Sequence, residues 1–492
     1  MEEKNQGAHV VFLPYPSQGH INPLLQFAKR LASKGVKATI ATTHYTVKYI
    51  CAPNVAVEPI SDGFDEGGFS QAQNEDVYLK AFRDNGSRTL SQLIHKYKNS
   101  SFPVNCVVYD SFLPWALDVA KQNGIYGASF FTNSATVCAI FCRIHRGLIS
   151  LPVKPDETPL LLPGLPPLNL PDLPSFVLAP ESHPAYLAMN LRQYSNVEKA
   201  DWLFGNTFEK LEGQKCQYPV RVVSLAYMAI FCMMKFQCKE LIYVFYESLK
   251  AAKGVWDLWP AKLIGPMVPS GFLDGRIAGD KGYGASLWNP LGSETIQWLE
   301  TKRQGSVAYV SFGSMVSLAA GQMEEVALGL KCSDFDFIWV VRESELSKLP
   351  PEFADSTKEK GLIVTWCNQL EMLAHPAIGC FITHCGWNST LEGLSLGVPM
   401  IGVPKWADQL TDAKFIEDIW GVGVRAKEDE KGIVRREELI SCLKQVMEEG
   451  ERSLEIRRNA SQWKALAKEA VSEGGSSDKC IDEFVERLKC RN

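Results

Sequence analysis

The chain has 492 residues, of which 22% are charged and 46% are apolar, and its formal net charge is −5. This length allows about two to three domains that each bury a full core. The charge balance excludes a basic surface for nucleic acid or an anionic membrane. The polar start MEEKNQG has no features of a secretory or transit signal, so we expect a cytoplasmic protein.

The cysteines predict reduced thiols rather than a metal site. All 14 are scattered, and no Cys-x-x-Cys pair occurs. Several lie in apolar runs, as Cys106, Cys138 and Cys380 do, which is typical of core thiols in a reducing compartment. His384 and Cys385 are adjacent, but a zinc site also needs a second pair of ligands. We therefore expect no metal.

The N-terminal region alternates strands and helices. Apolar residues at helical spacing over 21–31 predict a helix that ends at Lys34-Gly35. Strands on both sides of such a helix imply a right-handed crossover and a parallel sheet. The predicted strands are 9–16, 36–43, 104–109 and 126–131.

Two polar residues stand where predicted strands end. His20 follows the first strand in Pro-Ser-Gln-Gly-His, and Asp110 closes the strand VVYD. Ligands of open parallel sheets bind at such ends. A neutral imidazole can take a proton from a hydroxyl or carboxylic acid, while a carboxylate on its other nitrogen fixes the tautomer. The two residues are 90 positions apart, so Asp110 as an ordinary loop cap stays an alternative.

Ten prolines among leucines occupy residues 152–184. Proline at this density excludes a regular helix or a central strand, so we expect an ordered, apolar surface loop. Such a loop can form a wall of a cleft or can be a mere connector, and composition does not distinguish the two.

The second half repeats the alternation of strands and helices. The predicted elements are strands at 306–312, 337–341 and 362–365 and a helix at about 321–331. A Gly- and Pro-rich stretch near 265–295 joins the two halves. The pattern predicts an α/β protein with two Rossmann-like domains that face each other across a cleft.

Residues 366–409 are the most informative stretch of the chain. Within them, a short strand at 380–383 runs into a Gly-containing loop, and a helix starts near Asn388. The first turn of such a helix is a natural site for phosphate. At helical spacing His384, Asn388 and Glu392 share one face, which suits a diphosphate and a ribose diol. The alternative is a capped helix after a buried strand, with a structural histidine.

The whole of residues 366–409 resembles the signature of the plant secondary-product UDP-glycosyltransferases, glycosyltransferase family 1. These enzymes move a sugar from a UDP-sugar to a small molecule. The sequence of this signature is similar to that of the branch that glucosylates carboxylic acids and terpenoids. The matching positions are Trp366, Gln369, His375 to Glu392, Gly397-Val398-Pro399 and Trp406-Ala407-Asp408-Gln409.

The resemblance implies the GT-B fold and a domain plan. An acceptor domain spans 1–264, a linker 265–295 and a UDP-sugar domain 296–471, and a C-terminal helix at 472–492 returns to the first domain. Proteins of this family have a short connection where this chain has about thirty extra residues, so 213–246 is a predicted insertion. Its apolar run, 222–234, is too short to span a bilayer.

The resemblance also implies a role for each residue of the predicted site. His20 is the general base, and Asp110 orients it. Trp366 stacks on uracil, although core packing is the commoner role of a single tryptophan. The other implied contacts are Cys367 and Gln369 near the base, Glu392 on the ribose, Ser314, His384, Asn388 and Ser389 on the diphosphate, and Trp387, Asp408, Gln409 and Thr132 on the sugar.

The expected reaction is inverting transfer of glucose from UDP-glucose, without a metal or other cofactor, by a monomer. The expected acceptor is a small apolar phenol, hormone-like acid or terpenoid. One alternative is a protein that binds the nucleotide sugar but is inactive because the insertion damages its acceptor domain. A nicotinamide-dependent oxidoreductase is disfavoured because Pro-Ser-Gln-Gly-His replaces the Gly-x-Gly-x-x-Gly turn.

Overall fold

The computed structural model describes residues 7–162, 164–213, 261–287 and 293–490, which form two parallel sheets. The first has seven strands in the order β3-β2-β1-β4-β5-β6-β7, and the second has six in the order β10-β9-β8-β11-β12-β13. The strands are β1 (His9–Leu13), β2 (Lys37–Thr43), β3 (Val55–Ile60), β4 (Cys106–Asp110), β5 (Tyr126–Phe131), β6 (Trp202–Gly205), β7 (Lys262–Leu263), β8 (Val307–Ser311), β9 (Asp336–Val340), β10 (Gly361–Val364), β11 (Ile378–Thr383), β12 (Met400–Gly402) and β13 (Gly423–Arg425).

Helices connect the strands and cover the sheets. Those of the first half are α1 (Gln18–Ser33), α2 (Glu75–Tyr97), α3 (Trp115–Gln122), α4 (Ala135–His145), α5 (Ser175–Leu178) and α6 (Pro184–Arg192). Those of the second half are α7 (Ser293–Glu300), α8 (Ala320–Cys332), α9 (Phe353–Thr357), α10 (Gln369–Ala374), α11 (Trp387–Leu396), α12 (Gln409–Lys414), α13 (Arg436–Met447), α14 (Glu451–Val471) and α15 (Ser476–Lys489).

The described residues form two α/β units, each a fully parallel sheet covered by helices. This confirms the predicted fold class. The central strands are buried on both faces, as the strands β1, β4 and β8 show along their whole length. Burial on both faces explains why they read as continuous apolar runs instead of alternating ones.

The strand order determines where each sheet can bind a ligand. In the first sheet β1 lies beside β4, with Leu13 level with Tyr109, so the turn after β1 meets the end of β4. In the second sheet β8 lies beside β11, with Ser311 level with Thr383. In both sheets these neighbours are the strands at which the order reverses, and ligands of open α/β sheets bind at that crevice.

The last helix packs on the first sheet. The Phe484 ring of α15 lies 4.8 Å from the Trp202 ring and 5.1 Å from the Phe204 ring, centroid to centroid. Lys34 of α1 forms ion pairs with Asp478 at 2.8 Å and with Asp482 at 2.6 Å. The end of the chain therefore ties the second half of the protein to the first.

The prediction for the proline-rich stretch was wrong in one respect. Helix α5 lies within it, and α6 begins at its last residue, Pro184. Proline is tolerated at the first position of a helix, where its missing N–H has no partner to lose. Residues 154–157 and Leu161 are exposed, whereas Leu165, Leu168 and Leu173 are buried, so the stretch lies at the surface and inserts several leucines into the core.

The predicted insertion at 213–246 lies, apart from Gly213, outside the described residues. No helix among the described residues is long and apolar enough to cross a bilayer. The described residues also hold no group of three histidine, cysteine or acidic side chains arranged for a metal ion.

Candidate active site

A cavity of about 770 Å³ lies between the two sheets and is lined by residues from both halves of the chain. Every predicted site residue lines it except Asp110, which lies behind His20. The structure therefore brings together side chains that the sequence places up to 389 positions apart, from His20 to Gln409.

His20 and Asp110 form a hydrogen-bonded pair. The Nδ1 atom of His20 lies 2.6 Å from Oδ2 of Asp110, and the carboxylate is fully buried while the imidazole is 18% exposed. The other carboxylate oxygen accepts the Phe112 backbone N–H at 3.0 Å. Because the buried carboxylate accepts a hydrogen bond from Nδ1–H, the neutral imidazole presents the lone pair of Nε2 as a base. Asp110 is thus also the loop cap that the sequence left as an alternative.

Three side chains surround the His20 ring. Tyr15 and Phe112 pack on it with ring centroids 5.5 Å and 4.9 Å away. The Thr132 hydroxyl lies 3.3 Å from Nδ1. These contacts fix the orientation of the imidazole, so that Nδ1 is hydrogen-bonded to Asp110 and Nε2 faces the cavity.

The loops after β8 and β11 enclose His384. A Cβ atom on Gly313 would lie 2.7 Å from its ring, and one on Gly386 would lie 2.6 Å from Nε2. Withdrawal from water lowers the pKa of His384 to about 4, although the Ser311 backbone opposes the shift. The ring is therefore neutral at physiological pH and can donate or accept one hydrogen bond at the cavity.

The loop that carries Ser314 is held by an arginine. The Arg342 guanidinium donates to the Ser314 carbonyl oxygen, and its Nη2 donates to the Val316 carbonyl oxygen at 2.6 Å. Gly313 has a φ of 73°, a backbone conformation that favours glycine. The turn after β8 is thus fixed beside the start of α11.

Glu392 lies at the centre of a polar group on the cavity. Its carboxylate accepts Gln369 Nε2–H at 2.6 Å and the Tyr283 hydroxyl at 2.8 Å. Burial raises the pKa of Glu392 to about 7, and these two hydrogen bonds oppose the shift. Gln369 also donates to the Ser389 hydroxyl at 3.0 Å. A ligand diol that bound to Glu392 would replace some of these hydrogen bonds with its own.

Trp387, Asp408 and Gln409 also line the cavity. The Trp387 indole N–H donates to the Asn206 carbonyl oxygen at 2.7 Å, so the ring is fixed by the first half of the chain. Gln409 Oε1 accepts the backbone N–H groups of Lys405 and Trp406 at 3.0 and 3.1 Å. This leaves the Gln409 amide NH₂ free to point elsewhere.

Burial raises the pKa of Asp408 and raises that of the neighbouring Asp412 further, because the two carboxyl groups repel each other as anions. Asp412 Oδ1 accepts the Ser134 hydroxyl at 3.0 Å, another contact between the two halves. The pair favours a state with at least one shared proton.

Several contributors to the site were missed by sequence reasoning. Tyr283 lies in the predicted linker, Asn206 contributes only its backbone, and Arg342 acts through carbonyl oxygens. Neither a short motif nor a periodic pattern marks such residues. A tyrosine in a Gly-rich linker was the one available signal.

The family model described as UDP-glucoronosyl and UDP-glucosyl transferase matches residues 276–459. UDP-glycosyltransferase 74B1 of Arabidopsis thaliana is 50% identical over 487 residues, which are 98% of this chain and 97% of that protein. The chain belongs to the plant UDP-glycosyltransferases.

Other members of this family agree in fold and length. Flavonol 7-O-beta-glucosyltransferase UGT74F1 of Arabidopsis thaliana is 42% identical, with 99% of this chain and 100% of that protein covered. The crystal structure of Os79 from O. sativa in complex with UDP superposes with a TM-score of 0.85 and 36% identity, covering 97% of this chain and 100% of that one. Os79 has also been solved with U2F and a trichothecene. The two-domain GT-B prediction is confirmed.

As a UDP-glycosyltransferase, the protein transfers a glycosyl group from a UDP-sugar to a small molecule. The family relationship confirms the prediction made from residues 366–409. Part of the signature lines the cavity, including Trp366, Gln369, Glu392 and Gln409, and His20, hydrogen-bonded to Asp110, lines it from the first half of the chain.

Proposed function

We propose that this UDP-glycosyltransferase is an inverting glucosyltransferase that acts on a hydroxyl or carboxyl group of a small apolar metabolite. The observation that carries the proposal is the pair His20–Asp110, joined at 2.6 Å, on the same cavity as the start of α11. One domain supplies a base with a fixed tautomer, and the other supplies hydrogen-bond donors for a leaving diphosphate.

The donor is UDP-glucose. Trp366 offers its face to uracil, the carboxylate of Glu392 accepts the ribose hydroxyls, and the sugar lies against Trp387, Asp408 and Gln409. All of these line the cavity. The name of the flavonol 7-O-beta-glucosyltransferase supports both glucose and inversion, since the glucosyl group of UDP-glucose has the α configuration.

The reaction proceeds as one displacement. His20 Nε2 takes the acceptor proton while the acceptor oxygen attacks the anomeric carbon from the face opposite UDP. The bond from that carbon to the diphosphate oxygen breaks, and its electron pair leaves with UDP. Asp110 stabilises the imidazolium that forms. Holding both reactants in line supplies much of the rate.

The growing charge on UDP is met by fixed dipoles. The first turn of α11 presents backbone N–H groups, and Asn388 and Ser389 add side-chain donors. Such donors stabilise a developing anion strongly in a cleft that excludes water. In this proposal they and the neutral His384 do the work for which other transferases use a metal ion.

The acceptor binds in the aromatic part of the cavity. The lining there comes from Tyr15, Phe112, Phe141, Phe176 and Tyr186. Large apolar rings fit a phenol, a hormone-like acid or a terpenoid, and a few polar groups fix its orientation. The Os79 structure with a trichothecene supports a site of this kind.

The test is transfer by purified protein from UDP-glucose to a panel of phenols, carboxylic acids and terpenoids. We expect a β-glucoside or β-glucose ester with at least one class. We expect His20→Ala to lower the rate about 10²- to 10⁴-fold while UDP-glucose binding, measured by calorimetry, persists. An α product, or a His20→Ala variant that transfers normally, contradicts the proposal.

The rival reading is a nucleotide-sugar-binding protein inactivated by residues 213–246. A variant without that segment distinguishes the two. Transfer by the full chain contradicts the rival, whereas binding without transfer in the full chain, with transfer restored by the deletion, supports it.

A further inference from the structure

A segment of the acceptor domain lies directly on the sugar end of the donor domain. This clamp segment, Pro171–Ser175, lies within the proline-rich stretch. The Ser175 backbone N–H donates to the Ala407 carbonyl oxygen at 2.9 Å, and the Ser175 hydroxyl accepts the Ala407 N–H at 2.7 Å. One serine thus satisfies both backbone groups of Ala407.

The clamp segment also contacts the donor domain on the other side of Asp408 and Gln409. The Thr411 hydroxyl donates to the Asp172 carbonyl oxygen at 2.7 Å, and both residues are buried. The Asp172 carboxylate pairs with Lys414 and with Arg425, each at 3.3 Å. A partly buried carboxylate with two cations is held more firmly than an exposed surface pair.

These contacts enclose two residues of the proposed sugar site. Ala407 and Thr411 are tied to the clamp segment, and Asp408 and Gln409 lie between them. Ala407 has a φ of 57°, a left-handed conformation that disfavours a non-glycine residue. The two hydrogen bonds from Ser175 hold this conformation, and it sets the direction in which the next residue points.

We propose that Ser175 is a positioning residue for the donor sugar: by holding Ala407 from the acceptor domain, it fixes Asp408 and Gln409 against the glucosyl group of UDP-glucose. The inference rests on the proposed sugar contacts of those two residues. It also makes the sugar subsite dependent on this contact between the domains, whereas among the described residues the hydrogen bonds of Ser175 with the donor domain go to Ala407 and not to the residues proposed for uridine and diphosphate.

The experiment compares binding of UDP and of UDP-glucose by calorimetry in each variant relative to the wild type, since UDP-glucose carries the sugar that UDP lacks. Ser175→Ala loses one hydrogen bond to Ala407, and we expect affinity for UDP-glucose to fall about two- to tenfold with affinity for UDP unchanged. Ser175→Thr keeps the hydroxyl and should restore the difference between the ligands. Thr411→Val removes the second tie and should act like Ser175→Ala.

The matched control is Ser182→Ala, which removes an exposed hydroxyl that donates only to the Ala179 carbonyl oxygen at 2.7 Å. Both affinities should match the wild type there. Asp408→Asn tests the proposed function itself. If Asp408→Asn leaves UDP-glucose affinity unchanged, the sugar contact is wrong. If Asp408→Asn weakens UDP-glucose alone but Ser175→Ala and Thr411→Val do not, or weaken UDP equally, Ser175 is not a positioning residue.

Discussion

The side-chain amide of Asn388 donates a hydrogen bond to the carbonyl oxygen of Gly19 at 2.5 Å. This contact joins the first turn of α11 to the residue before His20. A Cβ atom on Gly19 would lie 3.3 Å from the amide nitrogen, so the approach leaves little space for a side chain. This hydrogen bond, with the other contacts between the two halves, therefore holds the proposed base close to the proposed leaving-group site.

Asn388→Asp tests this arrangement because it replaces the donor with a negative charge beside the diphosphate. We expect the affinity for UDP to fall at least about tenfold, because like charges repel each other strongly near a protein surface. Salt screens this repulsion, so part of the lost affinity should be recovered at high salt. Asn388→Ala loses the donor without adding charge and should lose less. Equal losses in both variants, without salt dependence, would place Asn388 away from the diphosphate.

Asp110→Asn removes the carboxylate that fixes the His20 tautomer while keeping the shape of the side chain. An amide can donate to Nδ1, which would leave the proton of the imidazole on the cavity side. We expect kcat to fall about 10²- to 10⁴-fold with a small change in KM for UDP-glucose.

The control for Asp110→Asn is Asp118→Asn, an exposed carboxylate on the next helix, α3. It should keep the wild-type rate. A large rise in KM with unchanged kcat in Asp110→Asn would indicate a role in binding rather than in orienting the base.

The strands and the donor loop could be predicted from the sequence because their signals are local. Apolar runs bounded by turns predict β5 and β8, and the turn that carries His384 follows directly from strand and helix patterns. His20 and Asp110 could be selected as candidates, but their contact depends on β1 lying beside β4, and periodicity does not specify strand order.

The contacts between domains were beyond the reach of the sequence. Ser175 with Ala407 and Trp387 with Asn206 join residues that share no pattern, since backbone groups are partners in each. Proline content predicted a loop, but it did not show which side chains the loop presents to the donor domain. Both gaps concern the packing of one domain on the other.

Glu392 should make stability depend on pH. The pKa of an exposed glutamate, as in the unfolded chain, is 4.5, and burial raises the pKa of Glu392 in the folded protein to about 7. Between these values the folded protein holds a proton that the unfolded chain has released, so stability falls as pH rises through this window and is level above it. Glu392→Gln cannot titrate, and its stability relative to the wild type should increase by at most about 3 kcal/mol from pH 4.5 to 7.

Thermal midpoints of the two proteins, measured at roughly one-unit pH steps from about 5 to about 8, check this. A constant offset between the proteins reports only changed hydrogen bonds, whereas a difference that grows with pH reports the titration. Glu371→Gln, an exposed acid on α10, should run parallel to the wild type. Parallel curves for Glu392→Gln would contradict the raised pKa.

Gly313→Ala tests the close contact between the two donor-domain loops. The added Cβ would lie 2.7 Å from the His384 ring, and φ at this position is 73°, which disfavours alanine. We expect the variant to lose about 1–3 kcal/mol of stability and to bind UDP more weakly, because His384 and Ser314 must both move. Gly321→Ala, at the start of α8, adds its Cβ in open space and should be neutral or slightly stabilising. Melting and UDP calorimetry measure both effects, and wild-type values for Gly313→Ala would mean that the loops tolerate separation without loss of the donor site.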